Sequence, residues 1–183
     1  FPQKYKDCVR KEVWDLSENS AGVSISFSSN TSNLLTKWSL KNHFRMNHMT
    51  DVGVNGIDLY HKKNNSWHFL STGIPKDLDN ERYLFKGLQK KIRHYKIHLP
   101  LFNTITDFQL GFDSNSDLEI ISENSPPLIF YGTSITQGGC ASRPGLAYTN
   151  IISRKLNRNC INLGFSGNGH LEENIGEILS KID

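Results

Sequence analysis

The hydrophobic pattern of this chain changes character near residue 125, and no single layer architecture accommodates both halves. Before that point apolar and polar residues alternate. Val23-Ser24-Ile25-Ser26-Phe27 places every second side chain on one face, as a half-buried strand requires. Trp38 and Leu40 alternate with Lys37, Ser39 and Lys41, and Ile57 and Leu59 with Asp58 and Tyr60. Trp67 and Phe69 follow the turn-like Lys63-Asn64-Asn65-Ser66, and Phe108, Leu110 and Phe112 precede Asp113-Ser114-Asn115-Ser116. Such strands recur roughly every 10–15 residues with polar turns between them, which predicts a β-sandwich or jelly roll. No long helical stripe and no internal repeat is legible in this half.

Ser122 to Pro127 reads as a short polar linker. Beyond it, Leu128-Ile129-Phe130-Tyr131 is a continuous apolar run, as in a strand buried on both faces. Pro144-Gly145 then opens a helix whose stripe is Ala147, Tyr148, Ile151, Ile152 and Leu156. Cys160-Ile161-Asn162-Leu163 is a second short strand. Leu171, Ile175, Ile178, Leu179 and Ile182 stripe a second helix, with Glu172 and Glu173 in its first turn and Lys181 in its last. The expectation is an α+β chain in two parts. Residues 1–124 form an all-β, jelly-roll-like sandwich, and residues 125–183 supply the first two β-α units of a parallel α/β sheet, which usually needs about five strands or more.

At 183 residues, either one sizeable core or two modest ones can be buried. Apolar residues are 37% and charged residues 21%, which excludes a disordered or collagen-like chain. No apolar run approaches the roughly 20 residues that span a bilayer. Phe1 stands where Met would open a complete chain, so the sequence reads as a processed or trimmed piece. The net charge of +3 is too small to argue for nucleic acid. The densest basic stretch, Lys86 to Lys96, reads as a strand with a solvated basic face. Cys8, Cys140 and Cys160 fit neither a zinc motif nor a disulfide framework. Cys160 reads as a buried thiol, and no metal or cofactor is implied.

Ligands of open α/β sheets bind beyond the carboxyl ends of the strands. Two Gly-rich loops leave such ends, 132–139 and 164–169. Neither matches a phosphate-binding loop or the dinucleotide fingerprint. Ser134 lies just past the first strand, where a nucleophile would be presented; the alternative is a turn serine bonded to local backbone.

Tyr131-Gly132-Thr133-Ser134-Ile135-Thr136-Gln137-Gly138 resembles block I of the GDSL/SGNH hydrolases, with Thr133 in place of the Asp of the common variant. Asn162-Leu163-Gly164-Phe165-Ser166-Gly167 resembles block II. Gly56-Ile57-Asp58-Leu59-Tyr60, with Asn47-His48-Met49 ahead of it, resembles the signature of a bacterial branch in which a β-sandwich precedes a flavodoxin-like three-layer hydrolase domain. The resemblance implies a serine esterase acting through an acyl-serine intermediate. Ser134 would be the nucleophile and an oxyanion N–H donor, and Gly164 the second N–H donor. The family's oxyanion Asn and Asp-x-x-His pair lie in later blocks that have no match here. His170 and Asn168 sit close to block II but do not match those positions. The 183-residue chain is therefore expected to be part of a hydrolase and inactive alone. The same resemblance implies a small acyl ester as substrate, such as an O-acetyl group on a carbohydrate, and a secreted, periplasmic or envelope-associated protein.

Around this core of the site, His48 either reaches the serine or packs on its own domain. Arg143 either meets an acidic substrate group or is a surface residue at a helix start. Thr133 and Asn168 are further candidates for substrate contact. Asp58 reads as structural, bonding turn N–H groups between strands. Trp38 and Trp67 read as sandwich core rather than a sugar platform. A half-built sheet also leaves an open edge, to be covered by the sandwich or by self-association with another copy. The rival reading is a carbohydrate-binding or interaction module carrying a non-catalytic α/β stub.

Overall fold

A computed structural model describes residues 1–122 and 125–182. Glu123 and Asn124 of the expected linker, and Asp183, lie outside the described residues. Two antiparallel sheets form most of residues 24–120. One has five strands, β1 (Ser24–Ser29), β3 (Ile57–Lys63), β4 (Ser66–Gly73), β6 (Arg93–His98) and β8 (Leu118–Ile120), in the order β4-β3-β6-β1-β8. The other sets β2 (Leu34–Leu40) between β5 (Asp79–Phe85) and β7 (Ile105–Phe112). Both sheets turn their alternate apolar residues onto one core, which holds Phe27, Leu34, Trp38, Ile57, Leu59, Tyr95 and Ile97. Each such side chain contributes roughly 1.5–3 kcal/mol by leaving water. Trp38 also donates from Nε1 to the carbonyl of Asn55 at 3.1 Å, so its one polar atom is satisfied inside.

The second unit is a parallel pair, β9 (Leu128–Gly132) and β10 (Cys160–Gly164), in register from Leu128–Cys160 to Gly132–Gly164. Three helices accompany it: α3 (Ser134–Gln137), α4 (Tyr148–Leu156) and α5 (Glu173–Leu179). Numbered in chain order, α1 (Lys11–Ser17) and α2 (Asp51–Asn55) precede them. No described helix is long and apolar enough to cross a membrane.

Several expectations need correction. Residues 1–17 are not part of the β half. Phe1, Tyr5, Val9, Val13 and Leu16 pack on Leu163, Phe165, Ile175 and Ile178, and so cover the apolar side of β10 and α5. The reason is their spacing: Val13 and Leu16 lie three residues apart on one face of α1, with Val9 in the extended segment just before it, and the half-sheet offers these side chains a partner. Pro144–Leu146 is a 3-10 turn, and the helix begins at Tyr148. The second helix starts at Glu173 rather than near Leu171. Trp67 lies outside the core, on the outer side of β4, where Lys62 approaches its ring at 5.6 Å and its Nε1 donates to Asn157.

The expected solvated basic face of β6 is also wrong. Lys96 is fully buried and His98 is 1% exposed. The alternation of this strand was correct, but the five-stranded sheet has a second covered face: the turn at Pro144 and helix α4 lie against β3 and β4. Cys160 is only partly buried, and burial pushes its thiol up to about 11 against the opposing bond from Thr149.

Candidate active site and the junction that holds it

Because β9 and β10 are parallel and end together at Gly132 and Gly164, both Gly-rich loops leave the same end of the sheet. Helix α3 begins at once, with Ser134 as its first residue. No hydrogen bond to the Ser134 hydroxyl occurs among the described residues, and its N–H has no acceptor there. The helix is one turn long because Gly138 takes a left-handed φ of 119° and its N–H closes onto Ser134 and Ile135 carbonyls.

The second loop is clamped on the first. Gln137 is fully buried; its Oε1 accepts from the Ser166 N–H at 3.0 Å and its Nε2 donates to the Leu101 carbonyl at 3.1 Å. Phe165 donates its N–H to Gly132 at 2.9 Å. From the N-terminal segment, Arg10 grips the same loop, giving Nη1 to Asn168 Oδ1 at 2.8 Å and Nε to Glu172 Oε1 at 2.6 Å. Gly167 turns the loop at φ 69° with open space around its Cα, and its N–H has no acceptor among the described residues.

Gly164 does not fit the donor role expected of it. Its N–H is committed to Asn162 Oδ1 at 2.9 Å. A Cβ on it would run into the backbone of Gln137, so this glycine exists to let α3 lie on the end of β10. In the second loop the N–H groups of Gly167 and Gly169 have no acceptor among the described residues.

A buried polar cluster fastens this unit to the five-stranded sheet. Asp58 is fully buried; Oδ2 accepts from Arg143 Nη1 at 2.8 Å and from the Gly145 N–H at 2.9 Å, and Oδ1 accepts from Thr72 at 2.8 Å. Arg143 also donates to the Tyr60 hydroxyl at 2.9 Å and lies 3.8 Å over the Phe69 ring. Arg154 lies 3.8 Å over Tyr60, donates to the Gly145 carbonyl at 2.7 Å and to His98 Nε2 at 2.9 Å. Burial pulls the Arg143 guanidinium down, but Asp58 and Tyr60 more than reverse this. For Arg154 burial wins, and its value is lowered.

His98 is the pH-sensitive member. Burial, then Arg154 and Lys96, hold it well below its ordinary 6.5, so it is neutral in the folded chain. Its Nε2 accepts from Arg154, which leaves the proton on Nδ1, where no partner occurs among the described residues. Below pH 6.5 the unfolded chain binds a proton that the folded chain refuses, so stability falls as pH falls, by up to about 1.4 kcal/mol per pH unit. The thermal midpoint is expected to drop by roughly 3–6 °C per unit from pH 6.5 to 5. His61, also lowered by burial first, adds in the same direction. His98→Gln, which cannot titrate, should flatten much of this slope; an unchanged slope would place the sensitivity elsewhere.

The comparisons with known proteins agree with this arrangement. A family described as the N-terminus of Esterase_SGNH_hydro-type, GxDLY, matches residues 1–118. The GDSL-like Lipase/Acylhydrolase family matches residues 125–183. This chain belongs to the SGNH-type esterase family. A solved structure assigned as a GDSL-like lipase, from Bacteroides ovatus, is 35% identical and superposes with a TM-score of 0.93 over 98% of this chain and 53% of its own. A salicylyl-acyltransferase from a tetracycline biosynthetic pathway shares the fold at 16% identity and a TM-score of 0.74, over 98% of this chain and 50% of its own. A family two carbohydrate esterase from Clostridium thermocellum shares it at 14% identity and a TM-score of 0.59, over 81% and 46%. The SGNH-type chain thus spans about half the length of the solved structures it matches. No curated protein among those compared matches it.

Within this SGNH-type chain the other candidates separate clearly. Thr133 precedes α3 exposed, without a capping bond from its side chain. Arg143 is held by Asp58 and Tyr60 and is not free to meet an acidic substrate group. Asn168 is held by Arg10. His48 is exposed, with its ring bonded to neighbouring Asn47 at 3.0 Å; Thr50, two residues on, is what reaches the segment after α3, donating to the Ser142 carbonyl at 2.6 Å. Asp58 does not bridge turns between strands; it bridges the two units. No cluster of metal-ligating side chains occurs among the described residues.

Arg10, Gln137, Asn162 and Gly167 were missed as candidates. For Arg10 a signal existed, because it stands just ahead of the apolar pair Val13 and Leu16, three residues apart on a helical face.

Proposed function

We propose that the chain is the N-terminal portion of a serine esterase. In this reading the two antiparallel sheets are its jelly-roll-like sandwich, and β9 and β10 open its flavodoxin-like hydrolase sheet. Ser134 is the nucleophile: its Oγ bonds to the acyl carbon of a small ester, the acyl–oxygen bond to the alcohol breaks, and water then releases the acid from the serine. The proton leaving Ser134 passes through a general base to the departing alcohol. No described side chain bonds to the Ser134 hydroxyl, and the family resemblance assigns the base to a later block that has no match in these 183 residues. The N–H groups of Ser134 and Gly167 hold the oxyanion, each such donor being worth on the order of 10²–10³ in kcat. The observation that carries this is the uncommitted Ser134 at the head of α3, at the carboxyl end of a parallel strand and facing a clamped second loop with an open glycine N–H. An O-acetylated carbohydrate is the substrate class proposed, supported by the fold shared with a carbohydrate esterase. An envelope-associated or secreted location follows from that substrate.

The test uses p-nitrophenyl acetate. The 183-residue chain is expected to show no turnover above its Ser134→Ala control, whereas the longer natural protein should lose a factor on the order of 10⁴–10⁶ on the same substitution. A Ser134-dependent rate from the 183-residue chain would place the base within it. No Ser134 dependence in the longer protein would leave the carbohydrate-binding module as the better reading.

A further inference from the structure

A groove of about 700 Å³ lies between the β3–β4 hairpin and the segment leading into β6. The hairpin brings His61 and Lys63 to it, and the other wall brings Lys91, Arg93 and His94. No acidic side chain lines it. The cations have no neutralising partner: among the described residues neither Lys63, Lys91 nor Arg93 forms an ion pair, and Arg93 instead donates to the carbonyls of Gln89 and Lys91 at 2.8 and 3.1 Å. The positive field is felt locally, since His61 is held below its ordinary value by burial first and then by His68, Arg93 and Lys63. A protein with a net charge of only +3 has thus gathered uncompensated cations on one concave surface. Neither strand pair shows this alone, because Lys63 and Lys91 are 28 residues apart in sequence.

We infer that this groove binds an acidic polysaccharide. Charge complementarity selects a polyanion. The rest of the lining selects the kind. Asn64, Asn65 and Gln89 bring side-chain amides, which pair with sugar hydroxyls, whereas no Phe, Tyr or Trp lines the groove. Single-stranded nucleic acid binders rely on broad aromatic platforms for stacking bases, and this lining offers only the two imidazoles of His61 and His94. A chain of uronic acids needs only spaced cations and hydroxyl partners. The groove is built entirely from strands and turns of the antiparallel sheet and involves neither Ser134 nor its loops. The inference therefore stands apart from the esterase reading, and would make the β half a tether for an anionic wall or gel.

The test is calorimetric titration of the 183-residue chain with polygalacturonate, neutral arabinoxylan and an oligothymidylate. Saturable binding to polygalacturonate is expected at low salt, weakening about tenfold or more at physiological ionic strength. Lys63→Glu/Lys91→Glu should weaken it at least tenfold. Lys4→Glu/Lys6→Glu makes the same charge change on the exposed N-terminal turn and should leave binding unaltered. A thermal melt checks folding; if the double glutamate variant unfolds, Lys63→Gln/Lys91→Gln replaces it with a smaller expected loss. Equal loss in both charge-reversed pairs, binding undiminished by the groove substitutions, arabinoxylan bound as tightly as polygalacturonate, or oligothymidylate bound more tightly would each overturn the inference. Ser134→Ala should bind polygalacturonate as the unaltered chain does, so failure here and failure of the esterase reading are separable.

Discussion

Asp58→Ala is expected to loosen the chain at the junction of its two units and to lower the thermal midpoint by roughly 6–20 °C. The carboxylate is fully buried and satisfies Arg143, the Gly145 N–H and Thr72 together. Removing it leaves a guanidinium and a backbone N–H without their acceptor in a covered interface. Breaking a buried pair from one side costs about 3–5 kcal/mol, and in a chain of this size each kcal/mol moves the midpoint by about 2–4 °C. The loss comes from the stranded charge more than from the missing bond. Adding Arg143→Met to Asp58→Ala should therefore recover part of it, because the unpaired cation is gone. Asp58→Asn keeps one acceptor but turns an NH₂ toward donors, and should fall between. Melts of the four proteins decide the matter; a double variant no more stable than Asp58→Ala alone would mean that the charge is not what the junction balances. The turn from Arg143 to Ala147 links α3 to α4, so hydrogen exchange should also rise there in Asp58→Ala.

Gly164→Ala is the second large effect. The methyl would meet the backbone of Gln137 and Thr136, not the flexible end of a side chain, so relief requires α3 itself to move. Overpacking of this kind costs about 1–3 kcal/mol, occasionally more. The functional consequence is sharper than the stability loss. Ser134 rides on α3, and a displacement of about 1 Å at a reacting atom costs on the order of 10² in rate. In the full-length esterase proposed above, kcat/KM should fall by about that factor while much of the fold survives. Gly167→Ala, at a left-handed φ of 69° with open surroundings, strains the loop without pushing on α3. Near-wild-type kcat/KM in Gly164→Ala, with α3 unmoved in its crystal structure, would remove the steric role assigned to this residue.

How far each feature was legible depends on whether its cause is local. Strand alternation in Val23 to Phe27 and around Ile57 and Leu59 follows from side-chain period alone, and Ile25, Phe27, Ile57 and Leu59 line the core as their spacing implies, while Val23 is exposed. The parallel pair was visible because Leu128–Tyr131 and Cys160–Leu163 are apolar without alternation, as strands between two layers must be. Helix α3 was not visible. It is four residues long and exists because Gly138 ends it and the second loop clamps it. The outcome for Gly164 shows the same limit. A glycine in a loop motif suggests an open N–H, but only its bond to Asn162 Oδ1 and the proximity of Gln137 reveal that it serves close packing instead.

The sequence by itself determined the two-part organisation, the alternation of the sheets, the position of Ser134 after a buried strand and the family. Each of these is written in neighbouring residues, where period and motif are set. The tertiary structure alone decided which polar residues are buried. Asp58, Tyr60, Lys96 and His98 occupy the face of an antiparallel sheet that normally meets water, and their pattern is that of a solvated face. Helix α4 covers it, bringing Arg154 to His98 while the turn before it brings Arg143 to Asp58. Residues 1–17 likewise reach across the whole chain to close the apolar side of β10 and α5. Periodicity reports that a strand has two faces. It does not report what lies against the second one, because that depends on contacts between segments up to 166 residues apart.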